Sequence, residues 1–191
     1  MRRHSPQTHC LILVMGVAGT GKSTLSREIL RRLRAVYLDN NLIADAFFPD
    51  TRNGPNYERL RPRFYKALYR IAEENLKCGN SVLLDVPHIK EVQTAHWRAF
   101  IKQLVMRARA TMVVIRCFCS EKVLHKRIRS RKEPRDHWKL EHWKEFLREQ
   151  PIKARIPWRH LDIDTEKQLK TNLRTALRHI QTQLDRDKRN R

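Results

Sequence analysis

The sequence predicts an α/β domain in which a mostly parallel sheet is covered by helices on both faces. Three observations lead there. Short apolar runs alternate with helix-like stretches along the chain, and a glycine-rich turn joins the first run to the first helix. The 191 residues, 40% of them hydrophobic, suffice for one substantial core. No internal repeat or Gly/Ser-rich linker divides the chain, so residues 10–184 read as one domain between a basic tail, 1–9, and a charged tail, 185–191.

Leu11 to Met15 is a short apolar run of the kind that forms a buried parallel strand, and the segment from Ser23 to Arg34 reads as a helix. Ala35 to Asp39 reads as a second strand. A short helix near Leu42 to Phe48 stops before Pro49, and Asp50 to Asn56 is turn-rich. A long amphipathic helix follows from Tyr57 towards Cys78, with Leu60, Phe64, Leu68, Ile71 and Leu76 as its apolar face. Pro62 should start or kink it, and Gly79 caps it. Ser81 to Val86 is a third strand, Glu91 to Arg109 a helix, and Thr111 to Phe118 a fourth strand. Ser120 caps a helix running through Ser130; a polar, tryptophan-bearing segment, the strand His160 to Asp164 and a last helix from Thr165 complete the alternation.

Between the first strand and first helix, Gly16-Val17-Ala18-Gly19-Thr20-Gly21-Lys22-Ser23 fits G-x-x-x-x-G-K-[ST]. Glycines there let successive backbone N–H groups turn inward as an anion nest, and the helix N-terminus adds positive potential. Lys22 can then reach the β- and γ-phosphates of a nucleotide, and Ser23 can place its hydroxyl on Mg²⁺. Asp85 ends the run Val82-Leu83-Leu84 and should emerge at the carboxyl edge of the sheet, where a carboxylate can hold the metal. No Glu follows Asp85 to polarise water, and no Asn-Lys-x-Asp guanine-reading motif occurs. Transfer from ATP to another molecule is therefore favoured over motor work or GTP switching.

The charge is +21, from 41 Lys and Arg against 20 Asp and Glu. Between Arg116 and Arg159 there are 14 basic and six acidic residues, so the charge concentrates where a lid would close. Arg127 and Arg131, four apart, share a helix face and could stack on adenine or clamp phosphates. Between Arg52 and Arg70 six basic residues and one acidic residue lie beside Tyr57, Phe64, Tyr65 and Tyr69. Such a mixture suits an acidic or phosphorylated acceptor, or single-stranded nucleic acid; the plainer reading buries the aromatics and leaves the basic groups in water.

No apolar run approaches the roughly 18 residues of a membrane span, and no secretory leader is recognised. Cys10, Cys78, Cys117 and Cys119 lack metal spacing and are read as reduced thiols in a cytoplasmic protein, with Cys117 and Cys119 on one strand face. His137 and His142 are poorly spaced for zinc, while His88 could line an acceptor site.

The phosphate loop, the Leu84-Asp85 strand end and Leu124-x-x-Arg127-x-x-x-Arg131 together resemble the small P-loop kinases. These include gluconate, shikimate and adenylate kinases, chloramphenicol phosphotransferase and zeta-toxin kinases, with related ATP-binding proteins of the AAA family. The resemblance spans roughly Leu11 to Leu177. It implies a three-layer P-loop NTPase fold, with five parallel strands in order 2-3-1-4-5 and an arginine-bearing lid at about 128–158. It further implies ATP and Mg²⁺ as cofactors, with Gly16, Gly19, Thr20, Gly21, Lys22, Ser23 and Thr24 around phosphate and metal. Asp85 stands near the metal, Arg127 against adenine and Arg131 on phosphates. Such kinases orient the acceptor hydroxyl with an aspartate after the second strand. Asp39 is the candidate here and Asp45 the alternative; Asn41 and Ala44 depart from patterns seen in relatives, so the acceptor stays unassigned. The expected activity is transfer of the γ-phosphoryl to a hydroxyl of a small acceptor. Alternatives are a 5′-hydroxyl polynucleotide kinase or nucleic-acid-associated ATP-binding protein, and a slow ATPase switch. The sequence leaves the oligomeric state open.

Overall fold

The computed structural model describes residues 9–49, 52 and 54–190. Its elements are β1 (Cys10–Met15), α1 (Lys22–Leu30), β2 (Val36–Asp39), α2 (Asn40–Phe47), α3 (Pro55–Lys77) and β3 (Val82–Asp85). Then come α4 (Ala95–Arg107), β4 (Thr111–Phe118), α5 (Glu121–Arg131), α6 (His137–Glu141), α7 (Trp143–Glu149), β5 (Leu161–Asp164) and α8 (Leu169–Arg189). The five strands form one parallel sheet in the order β2-β3-β1-β4-β5. This is the three-layer P-loop NTPase fold.

The period of two along β1 assigns its side chains to opposite layers. Leu11, Leu13 and Met15 pack with Tyr69, Leu76, Ile101 and Leu104 from α3 and α4. Cys10, Ile12 and Val14 pack with Leu25, Ile29, Ala176 and Ile180 from α1 and α8. Every residue of β1 is fully buried, as expected for a central parallel strand whose two faces are both covered. Cys117 joins the α1/α8 core, but β4 ends at Phe118 and Cys119 packs into the opposite one. The expectation of a shared face fails because the strand stops between them.

Several boundaries shift for local reasons. Thr94 accepts from Trp97 N and starts α4 anew after a 3₁₀ turn at Glu91–Gln93, so Glu91 to Arg109 is not continuous. Helix α3 begins at Pro55, a residue suited to the first turn, and passes through Pro62, which neither starts nor ends it. Its buried face is Tyr57, Tyr65, Leu68, Tyr69, Ala72 and Leu76; Ile71 is exposed. The last helix starts at Leu169 because Thr165 N first bonds Phe118 O, prolonging the sheet edge. That helix includes Asp185 to Arg189, most of the stretch read as a tail. Asp50, Thr51, Asn53 and residues 1–8 and 191, on which parts of the loop and tail readings fall, lie outside the described residues. Among the described residues no helix is long and apolar enough to cross a membrane.

Candidate functional site

At the carboxyl edge of the sheet lies a cleft of about 860 Å³, lined by the phosphate loop, the start of α2, the end of β3, the start of α3 and the segment from α5 to α7. The loop leaves the fully buried β1 and turns over the N-terminus of α1. Gly16 has φ +136°, and a Cβ there would stand 2.3 Å from the carbonyl oxygen of Cys117. Gly19, at φ +87°, lies so close to α5 that a Cβ would be 2.8 Å from the Ile128 side chain. The motif thus fits this fold by close approach as well as by backbone conformation.

Gly19, Gly21, Lys22, Ser23 and Thr24 line the cleft. Gly16 and Thr20 do not: Gly16 N donates to Pro87 O at 3.2 Å, and the buried Thr20 hydroxyl donates to Val17 O at 2.8 Å. Both shape the loop from behind. Lys22 is buried and donates to Val17 O at 3.0 Å. Burial draws its pKa below the usual lysine value, while Asp85 opposes that shift. An arriving polyphosphate would give this poorly solvated ammonium the counter-charge it lacks.

Asp85 is 2% exposed and lines the cleft. Its Oδ2 receives the Tyr37 hydroxyl at 3.0 Å, while its buried Oδ1 has no partner. That orphaned oxygen, with Ser23 across the cleft, fits a hard cation. Among the described residues no group of three His, Cys, Asp or Glu side chains could hold a metal. A cation here would therefore complete its shell from phosphate and water, the usual habit of Mg²⁺.

Asp39 sits beside Asp85 in the β2–β3 register, but is not among the cleft-lining residues. Its Oδ1 caps α2 by accepting from Asn41 N at 2.8 Å, and its Oδ2 faces the Tyr37 hydroxyl at 3.1 Å. Burial and the Asp85 charge push its pKa up. Both oxygens of Asp39 thus have partners, one as the helix cap and one with Tyr37, through which it shares a hydroxyl with Asp85. Asp45 pairs with Arg52 and Arg135. His88 also departs from expectation: fully buried, at φ 56°, it accepts from or donates to the Tyr69 hydroxyl at 2.7 Å. Desolvation lowers its pKa to about 3, so it stays neutral within the aromatic layer.

Arg127 and Arg131 both line the cleft, as their spacing on α5 predicts. Arg127 donates to Thr165 Oγ1 at 2.8 Å and to Thr165 O at 2.9 Å, fixing its guanidinium beside the β5 end. Arg131 pairs with the buried Asp136. Trp138 and Phe146 carry the lid segment onto the α3/α4 core. Lys90 binds Glu149 at 2.6 Å, tying the loop after β3 to α7.

A family model of an AAA domain matches residues 11–151, almost three-quarters of the chain. The chain belongs to that family. No curated protein sequence matches this AAA domain protein significantly. Among solved structures, a candidate kinase from Chloroflexus aurantiacus J-10-fl shares 24% identity at TM-score 0.70, over 91% of this chain and 99% of the other. APS kinase from Mycobacterium tuberculosis, solved with AMPPNP and APS, shares 15% identity at TM-score 0.64, covering 92% and 99%. Shikimate kinase from Bacteroides thetaiotaomicron shares 14% at TM-score 0.62, covering 90% and 98%. At such identities the likeness is one of fold. The AAA domain protein therefore has the architecture of small P-loop kinases.

Tyr37, Arg135 and Lys139 escaped the sequence reading. Tyr37 lies two residues before Asp39 on the same strand, so the period-two rule offered a signal. Arg135 and Lys139 lie in a segment where basic residues are too dense for spacing to single them out.

Proposed function

We propose that this AAA domain protein is a Mg²⁺-dependent phosphotransferase that moves the γ-phosphoryl of ATP to a hydroxyl of a small acceptor. One observation carries the reading: the phosphate loop, with buried Lys22, faces an Asp85 whose inner oxygen is free, inside a cleft roofed by arginines. Backbone N–H groups of Gly19 to Thr24 would cradle the phosphates, and Lys22 would draw charge from the β- and γ-oxygens. Ser23 and Asp85 would hold Mg²⁺, which neutralises charge on the phosphates when bound. Arg127, braced by Thr165, would lie against the nucleotide's base, and Arg131 would face charge building on the transferred group. Phosphoryl transfer asks chiefly for positioning and electrostatics, so an acceptor hydroxyl needs orientation more than a strong base. Asp39 would serve by capping α2 and sharing Tyr37 with Asp85.

One observation favours a second reading, a kinase acting on 5′-hydroxyl nucleic acid. Lys122, Lys126, Arg129 and Lys132 line a shallow depression along α5, where a phosphate backbone could lie.

The test incubates the protein with γ-labelled ATP, Mg²⁺ and an extract holding both metabolites and 5′-hydroxyl RNA, beside Lys22→Ala. Label in a low-molecular-weight compound, reduced about 100-fold or more in Lys22→Ala, is the expected result. Label on RNA supports the second reading. Free phosphate alone removes both and leaves a slow ATPase.

A further inference from the structure

The cations at the acceptor end of the cleft share an arrangement that the nucleotide site does not explain. Arg52, Arg61, Arg135 and Lys139 line the cavity from two sides, the first two at the α3 wall and the others in the lid. Each is held by a carboxylate that is not among the lining residues. Asp45 grips Arg52 with one oxygen and Arg135 with the other. Asp136, 1% exposed, grips Lys139 together with Arg131. Glu91, buried, binds Arg61 at 2.6 Å. A planar guanidinium pinned along one edge keeps its remaining N–H groups directed away from that partner. Arg61 is further fixed by lying 5.2 Å from the centroid of the Tyr65 ring. The enclosed Nε of Arg52 has no partner at all.

Asp45 and Asp136 are each shared between two cations, so positive charge is left over in the cleft that a neutral acceptor would not meet. We infer that the acceptor carries an anionic group, a carboxylate or a phosphate, held between Arg52 and Arg61 on one side and Arg135 and Lys139 on the other. Asp45, Glu91 and Asp136 act as positioning residues that aim the four cations. Tyr57, Tyr65 and Trp138 line the same end and would pack against the acceptor's carbon frame. This inference rests on the phosphotransferase reading and narrows its acceptor to a hydroxyl compound bearing negative charge.

The test fills the phosphate loop first, saturating the protein with Mg²⁺ and AMPPNP, and then titrates inorganic phosphate, acetate and a short 5′-hydroxyl oligonucleotide by calorimetry. Inorganic phosphate or acetate should bind at one site in the loaded protein, and the tighter of the two identifies the acceptor's anionic group. Arg52→Gln should weaken that binding at least tenfold while leaving AMPPNP affinity within about twofold. The double variant Arg61→Gln/Glu91→Gln, which removes the pair without stranding Glu91, should do the same and keeps the test valid if Arg52→Gln fails to fold. Neither simple anion binding to the loaded protein overturns the inference, as does binding that both variants leave unchanged. Oligonucleotide binding without either simple anion also overturns it, in favour of nucleic acid. Failure of AMPPNP to bind at all indicts the phosphotransferase reading instead, so the two failures are told apart.

Discussion

Replacing Tyr37 by Phe removes one hydroxyl from between two carboxylates and keeps the ring that packs beside the α1/α8 core. That hydroxyl lies 3.1 Å from Asp39 Oδ2 and 3.0 Å from Asp85 Oδ2, and the two aspartates are partners in the ladder of β2 and β3. A hydrogen bond to a charged acceptor contributes about 1.5–3 kcal/mol, so Tyr37→Phe should cost about 2 kcal/mol at pH 7. In a domain of this size that lowers Tm by roughly 4–8 °C. The pH dependence has a definite sign. Burial and Asp85 raise the Asp39 pKa above its ordinary value of 3.8, so over that interval the native state holds more protons than the unfolded chain. Stability therefore falls as pH rises from 3.8 to the native value. The Tyr37 hydroxyl opposes the increase, and losing it extends this interval upward. Thermal unfolding of wild type and variant at pH 4 and pH 7 tests the reasoning. The deficit should be smaller at pH 4 than at pH 7. A variant as stable as wild type at pH 7, or an equal deficit at both pH values, refutes it.

Gly16→Ala should destabilise the domain by about 2 kcal/mol or more, because the new Cβ meets the Cys117 carbonyl and the residue sits at positive φ; urea unfolding reads this directly. Asp136→Asn should cost about 3 kcal/mol at pH 7 by stranding Arg131 and Lys139. Burial opposes ionisation of Asp136, but Arg131 and Lys139 outweigh it and hold the pKa below 3.8. This contribution is thus present above pH 3.8 and lost as pH falls through the native value, so wild type and variant should converge in acid melting curves. ATP with Mg²⁺ at 100 times the dissociation constant should add about 2.7 kcal/mol, a rise in Tm of roughly 5–10 °C, absent in Lys22→Ala.

The parts of the site readable from sequence are those built from neighbours in the chain. The glycine motif between an apolar run and a helix located the phosphate loop, and the end of Val82-Leu83-Leu84 located Asp85. The bounds of β4 and the Ser120 cap were legible too, since turn and cap chemistry is local. What stayed hidden depends on distant partners. Asp45 pairs with an arginine seven residues away and with another 90 residues away, which no periodicity announces. His88, three residues past Asp85, could by its position line an acceptor site, yet with a left-handed backbone it lies in the tyrosine layer of α3. Tyr57, Tyr65 and Tyr69 are buried, as the plainer reading of that helix has it, but Phe64 is half-buried, Tyr57 and Tyr65 also line the cleft, and Arg61 reaches the cleft instead of open water.

Pro62 gives α3 a property that its continuous path conceals. With no N–H on the proline, the carbonyl of Glu58 receives no i−4 bond from it. Tilting the first two turns about this point has one hydrogen bond fewer to break, whereas the turns bearing Leu68, Tyr69, Ala72 and Leu76 are locked in the core. Tyr57, Glu58 and Arg61, all before the joint, line the cleft, and Arg61 is held there by Glu91. The helix is thus a core-locked stem whose tip is held chiefly by side chains, Arg61 on Glu91 among them, so this wall can be reshaped by substitution for differently sized molecules while the sheet and phosphate loop stay as they are.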